Sequence, residues 1–237
     1  MKVELKSMIN ERKKFLLETI IKEYIDSAQP VSSGTLVNKY DLDISPATVR
    51  NEMMALEEEG FIYQPHTSAG RIPTEKAYNL YLEEIVDKED DKKFLASHQK
   101  NLDDVFDYNE TAYKKTAKLI SEISGGTVFW AFHKNDLFYT GISNLFSQPE
   151  FKQVDVVCDV SEIIDRLEEI IDEIFEDLEE GEKVFIGSKN PFGSFLSSVI
   201  LKYKVENKSA VLGIIGPLRM NYEKNLGIIK YIKNKFK

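Results

Sequence analysis

Apolar side chains recur at helical spacing over the first third of the chain. Between residues 11 and 28, Phe15, Leu16, Ile20, Tyr24 and Ile25 fall on one helical face, and Pro30 follows the end of that helix. SSGTLVNKY predicts a short second helix with Ser32 or Ser33 as its cap and Leu36, Val37 and Tyr40 turned inward. Ser45-Pro46 starts a third, with a capping hydroxyl ahead of a proline at the first helical position. Val49, Met53 and Leu56 give that helix its buried stripe, and Gly60 closes it. Phe61 to Tyr63 reads as a strand, Gln64 to Thr74 as a polar finger in which Gly70 allows the reversal, and Thr74 as the cap of a fourth helix, EKAYNLYLEEIV.

The pattern then breaks. DKEDDKK replaces apolar periodicity with charge at 87–93, which divides the chain into a mostly helical domain, 1–88, and a mixed one, 92–237. In the second domain a long helix is expected from about 94 to 123, ended by Gly125-Gly126. TVFWAFHKNDLFYTGI reads as a β-hairpin turning at His133 to Asp136, and Gln153 to Val160 as a strand that buries Cys158. An acidic amphipathic helix follows over 161–183, then the strand KVFIG, a helix over 192–199, the strand SAVLGIIG and a closing helix over 222–236. The fold class expected is α+β.

Composition narrows the function. The 237 residues are 42% hydrophobic and 30% charged, with one cysteine and a net charge of −9. No apolar run is long enough to span a membrane, and no apolar leader is visible, so a reducing cytoplasm is expected. The negative balance argues against a surface that attracts polyanions everywhere, but leaves room for a local face. His66, His98 and His133 are scattered without metal-ligand spacing, and there is no phosphate-loop glycine pattern. The pairs Glu168-Glu169 and Glu179-Glu180 belong to a solvated helix face. No catalytic residue, cofactor or metal is expected, and the chain does not read as an enzyme.

Three helices, a strand, a finger and a return follow the order of a winged helix-turn-helix. With Val49, Met53 and Leu56 in the core, Ala47 and Asn51 face outward, flanked by Thr48 and Arg50. Asparagine can pair in bidentate fashion with adenine, and arginine with guanine or phosphate. Ser32, Ser33, Thr35 and Ser45 stand at helix starts, where free amides suit phosphate. His66, Thr67, Ser68 and Arg71 lie on the finger between Pro65 and Pro73, where they could follow a nucleic-acid backbone or a minor groove. A merely solvated helix face and a structural loop histidine are the competing readings. In the second domain, Arg219, Tyr222, Asn144, Gln148 and Glu150 are either ligand or subunit contacts, or ties that hold a corner together.

EYIDSAQPVSSGTL (23–36) and SPATVRNEMMALEEEGFIYQPHTSAGRIPTEKAYNLY (45–81) resemble the N-terminal domain of the heat-inducible transcription repressor HrcA family. GISNLFSQPEF (141–151), KVFIGSKN (183–190) and LGIIGPLRMNY (212–222) resemble later stretches of the same family. The resemblance implies a winged helix-turn-helix joined to a GAF-like antiparallel sheet flanked by helices. It implies double-stranded DNA as partner, a palindromic operator bound by a homodimer, repression of chaperone genes, and dependence on a GroE-type chaperonin. Family members usually carry an inserted dimerisation domain where this chain has only WAFHKNDLFYT. Pairing is therefore expected of the long helix 94–123, the sheet or both. A small-molecule-gated sensor acting through 125–237, and an interaction protein without operator binding, are the alternatives.

Overall fold

A computed structural model describes residues 10–86, 92–107, 109–132, 136–152, 154–205 and 208–236. The chain divides into two compact units, Met1–Asp87 and Lys88–Lys237. The first part of the charged run expected at their junction, 87–91, lies outside the described residues, as do His133 to Asn135 of the expected hairpin turn.

The first unit runs α1 (Glu11–Ser27), α2 (Ser33–Tyr40), α3 (Pro46–Glu58), β1 (Ile62–Tyr63), β2 (Ile72–Pro73) and α4 (Glu75–Val86). Each start has a local cause. The Asn10, Ser32 and Ser45 side chains accept the backbone N–H three residues on, and Thr74 Oγ1 accepts from Ala77 N. Ala28 takes a left-handed φ of 54° and ends α1. The seam that α1 buries is Leu16, Leu17, Ile20 and Ile21, while Phe15, expected inside, is 57% exposed. Leu36, Val49, Leu56, Phe61 and Ile62 complete a closed core. β1 and β2 pair antiparallel, Ile62 with Pro73 and Tyr63 with Ile72.

The second unit runs α5 (Lys92–Val105), α6 (Glu110–Ser124), β3 (Thr127–Ala131), β4 (Leu137–Thr140), α7 (Ile142–Ser147), a 3-10 turn (Pro149–Lys152), α8 (Val154–Asp165), α9 (Leu167–Asp177), β5 (Gly181–Ile186), β6 (Leu196–Val205), β7 (Lys208–Pro217) and α10 (Tyr222–Lys235). Its five strands form one antiparallel sheet in the order β4-β3-β7-β6-β5, which makes the chain α+β. Phe129, Leu196, Ile200, Val211 and Ile215 from the sheet pack with Val160, Leu167, Ile170, Ile171 and Ile174 from α8 and α9.

Five expectations are corrected here. The long helix of 94–123 is two helices, because Asn109 caps a new start with its side chain on Ala112 N and binds Asp107 through Nδ2. Gln153 to Val160 is not a strand. From Val154 it is helix α8, whose Val160 and partly buried Ile163 and Ile164 meet the core at helical spacing, so packing overrides the β-propensity of the valines. Cys158 is consequently exposed on a helix and not buried in a strand. The acidic helix is interrupted at Arg166, though Leu167, Ile170, Ile171 and Ile174 face the core as their spacing predicts. Residues 192–199 are a turn leading into β6. Leu196 to Leu201 are buried on both faces, Leu196 and Ile200 against α8 and α9 and Ser197 against Tyr222 of α10, so alternation disappears from the sequence. Ser197 and Ser198 survive there by bonding the Tyr222 hydroxyl and Asn190 Oδ1.

Candidate nucleic-acid interface

The outward side of α3 is the feature around which the first unit is arranged. Val49, Met53 and Leu56 are buried, and Ala47, Arg50, Asn51 and Met54 are exposed. At 100° per residue Ala47, Asn51 and Met54 lie on one line, with Arg50 beside it. Met54 is 49% exposed, a large apolar side chain facing water in the middle of this face. Sequence reasoning left it out, although its spacing of three from Asn51 and seven from Ala47 is the signal that finds it.

The helix starts are built alike. Ser32 Oγ accepts from Thr35 N at 3.1 Å and lies 2.9 Å from Thr35 Oγ1; Ser45 repeats both contacts with Thr48. Ser32, Thr35 and Ser45 are exposed, Ser33 and Thr48 half-buried. With Thr35 and Thr48 amides engaged and Pro46 lacking one, the first-turn donors left facing outward are those of Ser33, Gly34 and Ala47.

The finger is a hairpin whose turn is closed by Ala69 N donating to His66 O at 3.0 Å. Its reversal is made by Ser68, at φ 72°, and not by Gly70. His66, Thr67 and Ser68 are exposed there. Arg71 stands on the return limb, half-buried, with its guanidinium on Glu57 of α3.

Charge singles out one residue. Acidic side chains outnumber basic ones between Asn10 and Val86. Arg12 faces Glu52, Lys13 Glu59, Lys39 Glu23 and Arg71 Glu57, while Lys76 bonds the Glu59 carbonyl; Lys14 and Lys22 are engaged as well. Among the described residues of this unit, Arg50 is the cation with no intramolecular partner. Lys39, with the Tyr40 hydroxyl, also holds the largely buried Glu23 carboxyl below its ordinary pKa, against the opposing pull of burial.

In the second unit, the polar residues weighed as contacts tie the fold together. Arg219 holds Glu150 with Nε and Nη2, and Gln148 with Nη2. Tyr222 is fully buried on Ser197 and the Leu218 carbonyl. Asn144 Nδ2 bonds Ser121. A cleft of about 260 Å³ lies between α9, β5 and the turn after it, with Glu173, Asp177, Lys183 and Lys189 around its apolar floor. Among the described residues no group of His, Cys, Asp and Glu could hold a metal ion, and no helix is long and apolar enough to cross a membrane.

The family model described as the HrcA protein C terminal domain matches residues 44–226. The heat-inducible transcription repressor HrcA of Carboxydothermus hydrogenoformans is 26% identical over 332 aligned positions, taking in 95% of this chain and 96% of the relative. That length exceeds the chain itself, so the relative has residues with no counterpart here. The repressor of the same name from Natranaerobius thermophilus is 55% identical over 78 residues, 33% of this chain and 23% of the relative. That from Clostridioides difficile is 40% identical over 122 residues, 50% of this chain and 35% of the relative. Among solved structures, the crystal structure of a hypothetical protein superposes with a TM-score of 0.76 at 20% identity, covering 96% of this chain and 97% of that one, a likeness of fold.

Proposed function

The chain belongs to the HrcA family, and we propose from this that it is a transcriptional repressor of heat-shock genes that binds an inverted-repeat operator as a dimer. The first unit is then a winged helix-turn-helix with α3 as its reading helix. Asn51 would pair with adenine, Met54 and Ala47 would meet thymine methyls, and Arg50 would take guanine or phosphate. Ser32, Ser33, Thr35, Ser45 and Thr48 would present hydroxyls and amides to the backbone, and His66, Thr67 and Ser68 would lie along the flanking strand. The observation that carries this reading is the exposed line Ala47–Asn51–Met54 with Arg50, which pairs with no described residue, beside it.

A palindrome requires two reading heads related by a two-fold axis. We assign the pairing to the second unit, with α5, α6 and the sheet as its candidate surfaces. A duplex obtained by selection from a randomised pool tests the whole reading. Retention of one inverted repeat by the unaltered chain, with sequence preference loosened by Asn51→Ala, supports it; retention of no preferred sequence removes it. Sedimentation at micromolar concentration with and without that duplex tests the dimer, and a strictly monomeric chain in both would overturn it. The family resemblance adds a GroE-type chaperonin that raises the active fraction; operator binding unchanged by chaperonin at every temperature would remove that partner.

The cleft by α9 and β5 favours a second reading, a sensor gated by a small molecule carrying both charges. A rise in melting temperature of the full chain with such a ligand would support it.

A further inference from the structure

We infer that Glu57 and Arg71 fix the angle between α3 and the hairpin, so that Arg71 acts on DNA as a positioning residue through Glu57 and not by touching phosphate. This rests on the DNA-binding reading above. Glu57 sits in the last turn of α3. Its Oε2 accepts from Arg71 Nε at 2.9 Å and Nη2 at 2.8 Å, and its Oε1 accepts from the backbone N–H of Gln64 at 3.1 Å. One carboxylate therefore reaches both limbs of the hairpin: Gln64 follows β1 and Arg71 precedes β2. Gln64 Nε2 closes the finger from inside by donating to Ala69 O at 2.9 Å.

The Arg71 backbone makes a second anchor. Val31 N donates to Arg71 O at 2.9 Å and Arg71 N to Val31 O at 2.8 Å. Val31 immediately precedes Ser32, the cap of α2. Arg71 thus ties the start of α2, the end of α3 and the hairpin to one another.

The hairpin needs such a tie. Its ladder is two residue pairs, one of them involving Pro73, which has no N–H. A two-stranded ribbon of that size has no stable orientation of its own. The Glu57 carboxylate supplies one, because Arg71 Nε and Nη2 converge on Oε2 while Oε1 holds the Gln64 N–H, so both limbs are fixed to one planar group. The same pairing neutralises the Arg71 charge and occupies two of its nitrogens, while the side chain is only 17% exposed. That leaves a poor ligand for phosphate and a good brace.

The test uses the full chain and a duplex that the unaltered chain selects from a randomised pool. Arg71→Ala and Glu57→Gln are each expected to weaken binding about tenfold, the cost of ordering a freed loop on DNA. Glu57→Gln keeps an acceptor for the Gln64 amide, so the hairpin still forms. Both variants should lose backbone protection at the flanks of each half-site and retain it at the centre, with the slope of log affinity against log salt unchanged. A slope reduced by about one in Arg71→Ala, or Glu57→Gln binding and footprinting like the unaltered chain, would place Arg71 on phosphate itself and overturn the inference while leaving the DNA reading intact. Selection of no duplex would remove the DNA reading and this inference with it.

Discussion

Gly70 lies so close to Val31 that a Cβ at residue 70 would stand 2.4 Å from the Val31 carbonyl oxygen. No side chain fits there. The approach lets Arg71 pair its backbone with Val31, so the glycine serves contact between segments and not the turn itself, which Ser68 makes. Gly70→Ala should displace the hairpin, destabilise the first unit by about 1–3 kcal/mol and abolish operator binding. The chain's single tryptophan, Trp130, is in the second unit and should melt unchanged by fluorescence. Wild-type affinity in this variant would show that the hairpin tolerates movement.

Met54 offers a test on both sides of the interface. If its exposed thioether meets a thymine methyl, replacing that thymine by deoxyuracil weakens the unaltered chain by about 1 kcal/mol. The same replacement should cost Met54→Ala nothing further, since the partner atom is already gone. Equal losses in both proteins at every thymine would take Met54 out of the contact.

Among the described residues of the acidic first unit Arg50 is the cation left free, and this bears on salt dependence. Counterion release scales with the phosphates that cations neutralise, about 0.9 per contact. With the other lysines and arginines of the described unit engaged internally, the slope should be shallow for a DNA-binding protein. Arg50→Ala should lower it by about one per subunit if Arg50 meets phosphate, or relax the preference for guanine at one position if it meets a base. Titration between 50 and 200 mM salt separates the two, and an unaltered slope with unaltered preference would exclude both.

Glu23 gives the first unit an acid-sensitive joint. Its carboxyl holds Lys39 at 2.6 Å and Tyr40 at 2.9 Å, joining α1 to α2, and the Lys39 ammonium keeps its pKa below the ordinary value. A carboxyl depressed in the folded state adds stability above its unfolded pKa, about 4.3, and loses it as pH falls through the lower folded value. Hydrogen exchange of α1 and α2 amides should therefore accelerate as pH drops below that point, after correction for the intrinsic rate. Glu23→Gln should flatten this part of the profile.

Elements whose cause is local could be read from the chain alone. Ser45-Pro46 set the start of α3, and the 49, 53, 56 spacing set its buried face and hence the outward side of Ala47, Asn51 and Met54. SAVLGIIG could be recognised as a strand because it is apolar throughout. VDVVCDV and FLSSVIL misled for opposite reasons. The first has strand-like residues but is helical and meets the core through Val160, and the second is covered on both faces by helices and shows no period.

What the sequence by itself determined is where helices begin, which faces they bury and which chemistry they carry outward, because caps, prolines and periodicity act over a few residues. Only the tertiary structure decided what each charge does. Arg50 and Arg71 look equally free in the chain, yet Glu57 neutralises one and no described residue pairs with the other. The same holds for Gly70, whose role depends on a carbonyl far away in sequence. Electrostatic and steric contacts act through space, so a residue's surroundings, and with them its use, exist only after the chain has folded.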